Sequence, residues 1–474
     1  MRHLRLLALL APALLLPIAC EDSSGSSSGA VFAPEGGPGF EAGPPLGPLP
    51  DGALPDSSLP DTSTKPLGVT VTVFDGATPK KDVRVIFHDA AGLVTGQAVT
   101  DAAGKASVAA APSMVTVLTT DGQSPSAVTF GGVADGDNLK VVGRTQFASA
   151  GTFGVTFTDS ALIVNANSFS VQAGSNCYAN TGSVAATLSV PLFGDCVAAK
   201  NVVLATAANF GTVLGFGFMK NVDAPVGLGN VPVGPLAFSA PGTTTVTATN
   251  LPTGGGVNTS ASLSAIAGGQ GNPMSYSTGT LAGGGVVFPT ATGFADAYQA
   301  AVHATSNGAS SDRWLVRREA TAAPASAALT AFDFSTALPA ISDVAVAQAV
   351  PARPDMTLTT ADPAALATSD AGIVRLSWFV AAVDTTATWT FVLPPGTTAF
   401  KAPALPADAT DFVPVTDSFA VDSATFFDAS QLPSYGAAKV LPITPGSGLD
   451  LIESTRVLPA AGTLRISRFA PNNG

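Results

Sequence analysis

The amino-acid sequence predicts an all-β protein of two to three tandem β-sandwich domains that follow a disordered tether. The chain holds 49 glycines and 37 prolines among 474 residues, which interrupt it too often for long helices. Valine, threonine and phenylalanine dominate the stretches between these breaks, and such residues favour strands. Apolar residues make up 46% of the chain and charged residues only 11%, so there is ample material for buried cores.

The first twenty residues have the layout of a secretory signal. Arg2 and Arg5 precede the apolar run 6–19, and Cys20 follows it. The run is too short for a membrane-spanning helix, which needs about 20 residues. Ala19 directly before Cys20 resembles the lipobox of bacterial lipoproteins, in which the cysteine is lipidated and becomes the mature N-terminus. The resemblance implies lipidation at Cys20 and an outer-membrane lipoprotein of the cell envelope, facing either the periplasm or the outside.

Composition restricts the partners. The formal net charge is −12, whereas binding to nucleic acid needs clustered lysine and arginine, so nucleic acid is not expected as a partner. The same charge argues against electrostatic docking on anionic lipid. We expect the protein to be held at the membrane by acyl chains at its N-terminus, where two or more acyl chains give stable anchoring.

The three cysteines are assigned to two roles, one to lipidation and two to a disulfide. With Cys20 assigned to lipid, Cys177 and Cys196 remain as a pair in an exported chain, which predicts a disulfide. Two free buried thiols are the alternative. A bridge closing a loop of this size contributes about 3 kcal/mol to stability in the chain-entropy model.

Composition and turn signals divide the chain into five segments. The Pro-, Gly- and Ser-rich segment after the signal cannot bury enough apolar surface to order itself, so we interpret it as a tether that keeps the folded part away from the membrane. Three strand-rich segments follow, and the second of them contains the cysteine pair. The predicted boundaries are 1–20 for the signal, 21–66 for the tether, and 67–143, 144–325 and 326–474 for the three β-rich domains.

The segment 67–143 shows the clearest strand pattern. Val69, Val71 and Val73 alternate with threonines, which is the period-2 pattern of a half-buried strand, and a polar turn over 100–105 precedes the next strand. The order strand, polar turn, strand, TDAAGKASV, strand resembles bacterial immunoglobulin-like (Ig-like) and carboxypeptidase regulatory-like domains. That resemblance implies a seven-stranded sandwich without catalytic residues, used as a spacer or as a binding unit.

Further strands are predicted in both later segments, 161–164 and 373–380 among them. We interpret 253–285 as a glycine-rich loop, 295–303 as two helical turns and 362–367 as one helical turn. Each tryptophan lies inside a predicted strand with apolar neighbours on its own face, so core packing is favoured over a sugar-binding platform. These tryptophans are Trp314, Trp378 and Trp389.

A short internal repeat relates the last two segments. PGTTTVTATNLP at 241–252 aligns without gaps on PGTTAFKAPALP at 395–406, with seven of the twelve positions identical. We interpret the two as related modules; convergent turn composition in an Ala/Thr-rich chain is the alternative. The stretch around the second copy also resembles the C-terminal part of poorly characterised lipoproteins of high-GC Gram-negative bacteria, a family resemblance that transfers no residue roles.

Patterns that carry chemistry are scarce. HExxH, CxxC and SxxK do not occur in the sequence, GxSxG occurs only as GSSSG in the Ser- and Gly-rich tether and indicates no nucleophile elbow, and the chain after Cys20 keeps two histidines far apart. We expect His88 to be exposed at the end of a strand and His303 to lie in a polar connector. The residues 135–138, Asp-Gly-Asp-Asn, are interpreted as a polar turn, because Gln146 stands where a calcium loop of the EF-hand type needs glutamate. No metal, cofactor or catalytic residue is assigned.

Together these observations favour a lipid-anchored, non-catalytic envelope protein that acts as a surface spacer, adhesin or binding module. Its expected partners are the membrane, through the lipid anchor, and an extracellular protein or glycan. A carbohydrate-binding or polysaccharide-associated lipoprotein is the first alternative. A hydrolase whose site is assembled from scattered residues is the second.

Overall fold

The computed structural model describes residues 68–471, with breaks inside that span. Cys20 and the predicted tether lie outside the described residues. The breaks fall at 122–123, 144–148, 159–160, 175–176, 183–186, 194–195, 255, 269–273, 282, 307–310, 321–325, 348–352, 381–383, 415–418, 446–447 and 450–457.

The described chain is built from strands and turns, which confirms the predicted all-β sandwich class. Between residues 67 and 143 the strands are β1 Val69–Asp75, β2 Thr78–Pro79, β3 Arg84–His88, β4 Val94–Val99, β5 Lys105–Val108, β6 Met114–Asp121, β7 Ser124–Gly131 and β8 Asn138–Gly143.

The middle of the chain adds thirteen strands among the described residues. They are β9 Ser149–Phe157, β10 Ser168–Gln172, β11 Tyr178–Thr181, β12 Leu188–Phe193, β13 Lys200–Asn209, β14 Thr212–Asp223, β15 Asn230–Leu236, β16 Gly242–Thr249, β17 Val257–Ile266, β18 Met274–Thr280, β19 Gly285–Thr290, β20 Ala297–Ser306 and β21 Ser311–Ala320.

The last part combines strands with short helical turns. The strands are β22 Ser326–Ala328, β23 Phe332–Asp333, β24 Ile341–Ala347, β25 Asp355–Thr360, β26 Ala371–Val380, β27 Thr385–Leu393, β28 Ala399–Lys401, β29 Phe419–Ala429, β30 Ile443–Thr444, β31 Gly448–Leu449 and β32 Thr463–Phe469. The helices are α1 Pro363–Leu366 and α2 Tyr435–Lys439, with 3-10 turns at Phe334–Thr336 and Thr410–Phe412.

One large sheet collects strands from all three predicted domains. Its order is β18-β17-β20-β21-β32-β29-β26-β27-β7-β6-β3-β4. Strand β7 pairs with β27 in parallel, and β21 pairs with β32 antiparallel. The boundaries near residues 143 and 325 stay a prediction, but strands on either side of them share hydrogen bonds.

Smaller sheets pack around this sheet. β1 lies at the centre of one of them, antiparallel to β5 and parallel to β8, and β30 pairs with β8. The cysteine-containing part has the sheet β11-β10-β13-β14 and the sheet β12-β9-β15. Two further sheets have the orders β19-β16-β22 and β24-β25-β28.

Four buried clusters fill the spaces between the sheets, and the first shows how the alternating pattern works. Val69, Val71 and Val73 are all buried, and they face Val85 and Phe87 across the first cluster. Thr70 between them is only half-buried, as expected for a strand with one face on a core. At about 25 cal/mol per Å² of apolar surface removed from water, such burial supplies most of the stabilisation of a sandwich.

Several local predictions are confirmed and others are wrong. The turn over 100–105 is present, since the Asp101 amide donates to the Lys105 carbonyl oxygen at 2.9 Å. The single helical turn near 362–367 is α1, whose first turn is capped by the Asp362 carboxylate. By contrast, 161–164 forms turns rather than a strand.

Two predictions for the middle segment are also wrong. The stretch 253–285 contains β17 and β18 rather than only a loop, because Ala261, Leu263 and Ala265 alternate with serines and are buried. The stretch 295–303 is not helical but belongs to β20, which pairs on both sides, with β17 and β21. Pairing on both sides overrides the helix propensity of its alanines.

The two copies of the short repeat lie in different sheets. Residues 241–252 contain β16, which pairs with β19 and β22, whereas 395–406 contain the short strand β28, which pairs with β25. In each copy a strand follows the turn.

Candidate functional site

The predicted disulfide between Cys177 and Cys196 is formed, with its two Cα atoms 6.1 Å apart. Both cysteines are buried, and the bridge ties the start of β11 to the chain after β12. The Phe193 amide lies 3.2 Å from Cys177 Sγ. The bridge therefore closes one end of the fourth core, which is the core of the cysteine-containing part.

His88 does not lie where the sequence predicted. It is fully buried, so the expectation of an exposed strand histidine is wrong. His88 lies on the face of β3 opposite Val85 and Phe87, but that second face is also covered. Ile86, on the same face, belongs to the third core together with Leu118.

A chain of hydrogen bonds crosses four neighbouring strands from His88. His88 Nε2 lies 3.0 Å from Thr116 Oγ1, and Thr116 Oγ1 lies 2.8 Å from Thr129 Oγ1. Trp389 Nε1 donates to Thr129 Oγ1 at 2.8 Å. We name these four residues the His88 chain. It connects β3, β6, β7 and β27, and so joins the first predicted domain to the third.

The His88 chain leaves one ring nitrogen of His88 without a hydrogen bond. The Trp389 indole can only donate, so Thr129 Oγ1 accepts. His88 Nδ1 is buried without a hydrogen-bond partner. Burial and, to a smaller extent, the nearby positive charge of Arg353 together lower the pKa of His88 from 6.5 to about 4, so this imidazole is neutral at pH 7.

His303 also lies inside the fold, on β20 rather than in a polar connector. Its ring packs 5.2 Å from the Trp314 ring, centroid to centroid, and its Nε2 lies 3.5 Å from Ser262 Oγ. Burial lowers its pKa, and the carboxylate of Asp312 opposes this effect. Neither histidine of the described chain is placed as an exposed general base.

The three tryptophans follow the predicted core packing to different degrees. Trp378 and Trp389 are buried, while Trp314 is half-buried against the first core. None of the three forms an exposed platform for a sugar ring. Among the described aromatic side chains, Tyr178, Phe210 and Phe379 are exposed, at 57%, 91% and 49%.

The polar turn at 135–138 uses its carboxylates for structure. Asp135 Oδ1 accepts from the Gly68 amide at 2.7 Å, and Asp137 Oδ2 accepts from the Ala134 amide at 2.7 Å. Within the described ranges no group of three or more His, Cys, Asp or Glu side chains could hold a metal ion.

A buried ion pair links this turn to the C-terminal part. Lys439 Nζ lies 2.5 Å from Asp137 Oδ2 and donates to the Gly132 carbonyl oxygen at 3.0 Å, and the side chains of Lys439 and Asp137 are only 5% and 13% exposed. The Tyr435 hydroxyl donates to the Gly131 carbonyl oxygen at 2.6 Å. Burial, together with the Asp137 carboxylate, raises the pKa of Tyr435. This cluster fixes α2 against the end of β7.

One carboxylate has the raised pKa expected of a general acid. Burial raises the pKa of Asp370, and the Asp428 carboxylate adds to the effect. Asp370 Oδ2 accepts from the Ala429 amide at 2.7 Å, while Asp428 pairs with Arg465 Nε at 2.8 Å. Both carboxylates thus bind neighbouring groups of the fold, which favours a structural role for them over a hydrolytic one.

The exposed apolar side chains of the cysteine-containing part gather at its ends. One end has Phe210, in the turn between β13 and β14, and the neighbouring loop with Leu162 and Val164. We name residues 161–167 and 209–212 the Phe210 tip. The sequence analysis missed it, although an aromatic residue in the turn Asn-Phe-Gly between two strands is a visible signal.

Comparisons with known proteins identify no relative. No family model matches the sequence, and no curated protein matches it. Two solved structures show weak likeness: the Bacillus anthracis TIE protein and the native conformation of E. coli alpha-2-macroglobulin. The first is 10% identical, covers 56% of this chain and 49% of its own, and has a TM-score of 0.14. The second is 9% identical, covers 74% of this chain and 26% of its own, and has a TM-score of 0.11.

Among the residues with described structure, no helix has the length and apolar character to cross a bilayer. The chain spans about half the length of the TIE protein, and likenesses at these TM-scores carry no functional argument.

Proposed function

We propose that this chain is a lipid-anchored, non-catalytic protein of the cell envelope, held by lipid at Cys20, whose folded part serves as a rigid spacer that presents a binding surface. The observation that carries this proposal is the sheet of twelve strands that joins all three β-rich segments. Hydrogen bonds along β7–β27 and β21–β32 hold the segments in fixed register, which suits a spacer.

Two features of the interior support a non-catalytic role. His88 and His303, the histidines of the described chain, are sequestered against threonine, serine and tryptophan side chains. A nucleophile activated by histidine needs that ring within hydrogen-bond reach of an accessible hydroxyl or thiol. The buried position of His88 and the half-buried position of His303 against Trp314 disfavour this arrangement.

Replacing the lipid-bearing thiol tests the anchor. Wild type should fractionate with membranes and carry acyl chains at Cys20 by mass spectrometry, whereas Cys20→Ser should shift to the soluble fraction. Ser24→Ala, four residues away, serves as the matched control and should fractionate like wild type. Membrane recovery of Cys20→Ser equal to that of wild type contradicts the anchor.

The carbohydrate-binding alternative has a candidate platform in Tyr178. No tryptophan offers an exposed ring, and Tyr178 on β11, next to the disulfide, is the exposed tyrosine among the side chains whose burial the structure describes. A stacking role predicts glycan-array signals that disappear in Tyr178→Ala and persist in Val287→Ala, an equally exposed position on β19. An array without signal for wild type contradicts this alternative.

A further inference from the structure

The turn that carries Phe210 is unusual for an aromatic residue. Asn209 pairs with Thr212 across the β13–β14 hairpin, so the loop contains two residues, Phe210 and Gly211. Both have positive φ, at 46° and 81°. Positive φ at both positions is characteristic of a type I′ turn, which favours asparagine or glycine at the position of Phe210.

Packing of the Phe210 side chain does not compensate for this conformation. A bulky residue at positive φ is strained, and such strain usually persists where packing or function requires it. Phe210 is 91% exposed, so its ring gains no packing energy inside the molecule. The ring is therefore placed to contact something outside the fold.

The surroundings of Phe210 form one apolar, uncharged surface. Asn167 fixes the neighbouring loop, because its Oδ1 accepts from the Phe210 amide at 3.1 Å and its amide donates to the Ala208 carbonyl oxygen at 3.0 Å. Val164 and Leu162 in that loop are 75% and 37% exposed. Residues 161–168 and 205–216 contain no charged side chain, although the chain carries a net charge of −12.

The opposite end of the same sheet differs in charge. The loop after β14 exposes Val226 at 95% and Leu228 at 76%. An ion pair between Lys200 and Asp223 stands beside this loop, at the far ends of β13 and β14. Of the two apolar ends, the Phe210 tip is the one whose described residues include no charged side chain.

We propose that the Phe210 tip inserts into the interfacial layer of the lipid bilayer to which Cys20 anchors the chain, an inference that rests on the proposed function. An uncharged apolar tip can bury its side chains in the boundary between headgroups and acyl chains without desolvating a charge. A protruding tip also needs no matching pocket there, unlike a protein partner.

The length of the preceding chain makes this contact reachable. From Cys20 to Gly68 the backbone can extend about 150 Å at roughly 3.3 Å per residue. β14 has 12 residues and spans about 40 Å, so the tether allows either end to face the membrane. Anchoring turns insertion into an intramolecular event, which lets a small apolar contact decide the orientation.

Depth-dependent quenching tests the proposal on the full lipidated chain. The protein is reconstituted in phosphatidylcholine vesicles that contain doxyl-labelled lipid, and Phe210→Trp is compared with Val226→Trp as the matched control. We expect the emission of the tryptophan at position 210 to be blue-shifted and strongly quenched. The emission of the tryptophan at position 226 should show neither a blue shift nor quenching. Equal quenching at both positions, or no quenching at 210, overturns the insertion.

A second variant separates insertion from folding. Phe210→Asn creates the Asn-Gly pair that a type I′ turn favours, so the fold should be retained. In the full chain carrying Cys20→Ser, the tip is the remaining membrane contact, and we expect its weak binding to vesicles at high lipid concentration to fall about tenfold on adding Phe210→Asn, as for the loss of one buried apolar side chain. Unchanged binding overturns the insertion. If the wild-type lipidated chain does not float with vesicles, the anchor itself is refuted; if it floats with an unquenched tip, only the insertion is.

Discussion

The buried imidazole of His88 makes the stability of the fold dependent on pH in a way that one substitution removes. In the unfolded chain this histidine titrates near 6.5, whereas burial and the charge of Arg353 hold its pKa in the folded chain at about 4. Between these values the unfolded state binds more protons than the folded state. The free energy of unfolding therefore decreases as the pH falls from 6.5 toward 4. Above pH 6.5 the full stabilising contribution of the neutral His88 is present.

The size of the effect follows from the two pKa values. One pKa unit corresponds to about 1.36 kcal/mol, so the difference between 6.5 and about 4 corresponds to about 3 kcal/mol. His88→Gln keeps a polar group opposite Thr116 but does not titrate. We expect it to cost about 1 kcal/mol at pH 7.5, as for one perturbed hydrogen bond. Its disadvantage should shrink and then reverse as the pH falls to 4.

Urea unfolding followed by tryptophan fluorescence gives the free energy of unfolding of wild type and of His88→Gln. It is measured at half-unit steps from pH 7.5 to 4. Contributions of the carboxylates are common to both and cancel in the difference between them. Thr119→Ser, on β6 but outside the His88 chain, serves as the control and should follow the wild-type pH profile. If wild type and His88→Gln lose stability in parallel over this range, the burial of a neutral imidazole is refuted.

Three other outcomes are expected. Cys177→Ala combined with Cys196→Ala should lower the free energy of unfolding by about 3 kcal/mol, because the bridge closes a separation of 19 residues; an unchanged urea midpoint contradicts this. Lys439→Met should cost about 3 kcal/mol by leaving the Asp137 carboxylate buried and unpaired, and adding Asp137→Asn should restore much of it in a double-mutant cycle. The isolated fragment 67–143 should not fold, since β7 and β8 lose their C-terminal partners; a cooperative thermal transition by circular dichroism would show the opposite.

Strands with one solvent face were the easiest features to predict from sequence. The alternation of Val69, Val71 and Val73 is local information, and it survives whatever the strand packs against. His88 shows the limit of prediction from such a local pattern. The sequence of β3 indicates which side chains share a face, but not that the second face lies under residues far along the chain, such as Met356 of β25 in the same core.

The wrong helix over 295–303 has a similar cause. Alanine-rich residues favour a helix in isolation, and only pairing on both sides turns them into β20. The serine-rich stretch of β17 was missed because the glycines on either side of it outweighed the alternation of Ala261, Leu263 and Ala265. Both strands depend on neighbours that sequence reasoning cannot place.

The Phe210 tip, in contrast, was within reach of sequence reasoning. An aromatic residue before glycine, in a two-residue link between apolar strands, contradicts the usual turn chemistry. What the sequence does not provide is the position of Leu162 and Val164, which lie far away along the chain and reach the tip through the Asn167 contact. A local anomaly was visible, but the surface it belongs to was not.

The order of the large sheet has a consequence for how the chain acquires its structure. β7 is made early, yet its parallel neighbour β27 begins at residue 385, and the whole middle segment forms the connection between them. Until the C-terminal part is available, β7 presents an unpaired edge, which is a hazard for aggregation. The His88 chain and the Lys439–Asp137 pair both close across this same late junction. Hydrogen bonds and ion pairs across this junction therefore form only in the complete chain, so the segments 67–143 and 326–474 depend on each other for their native structure.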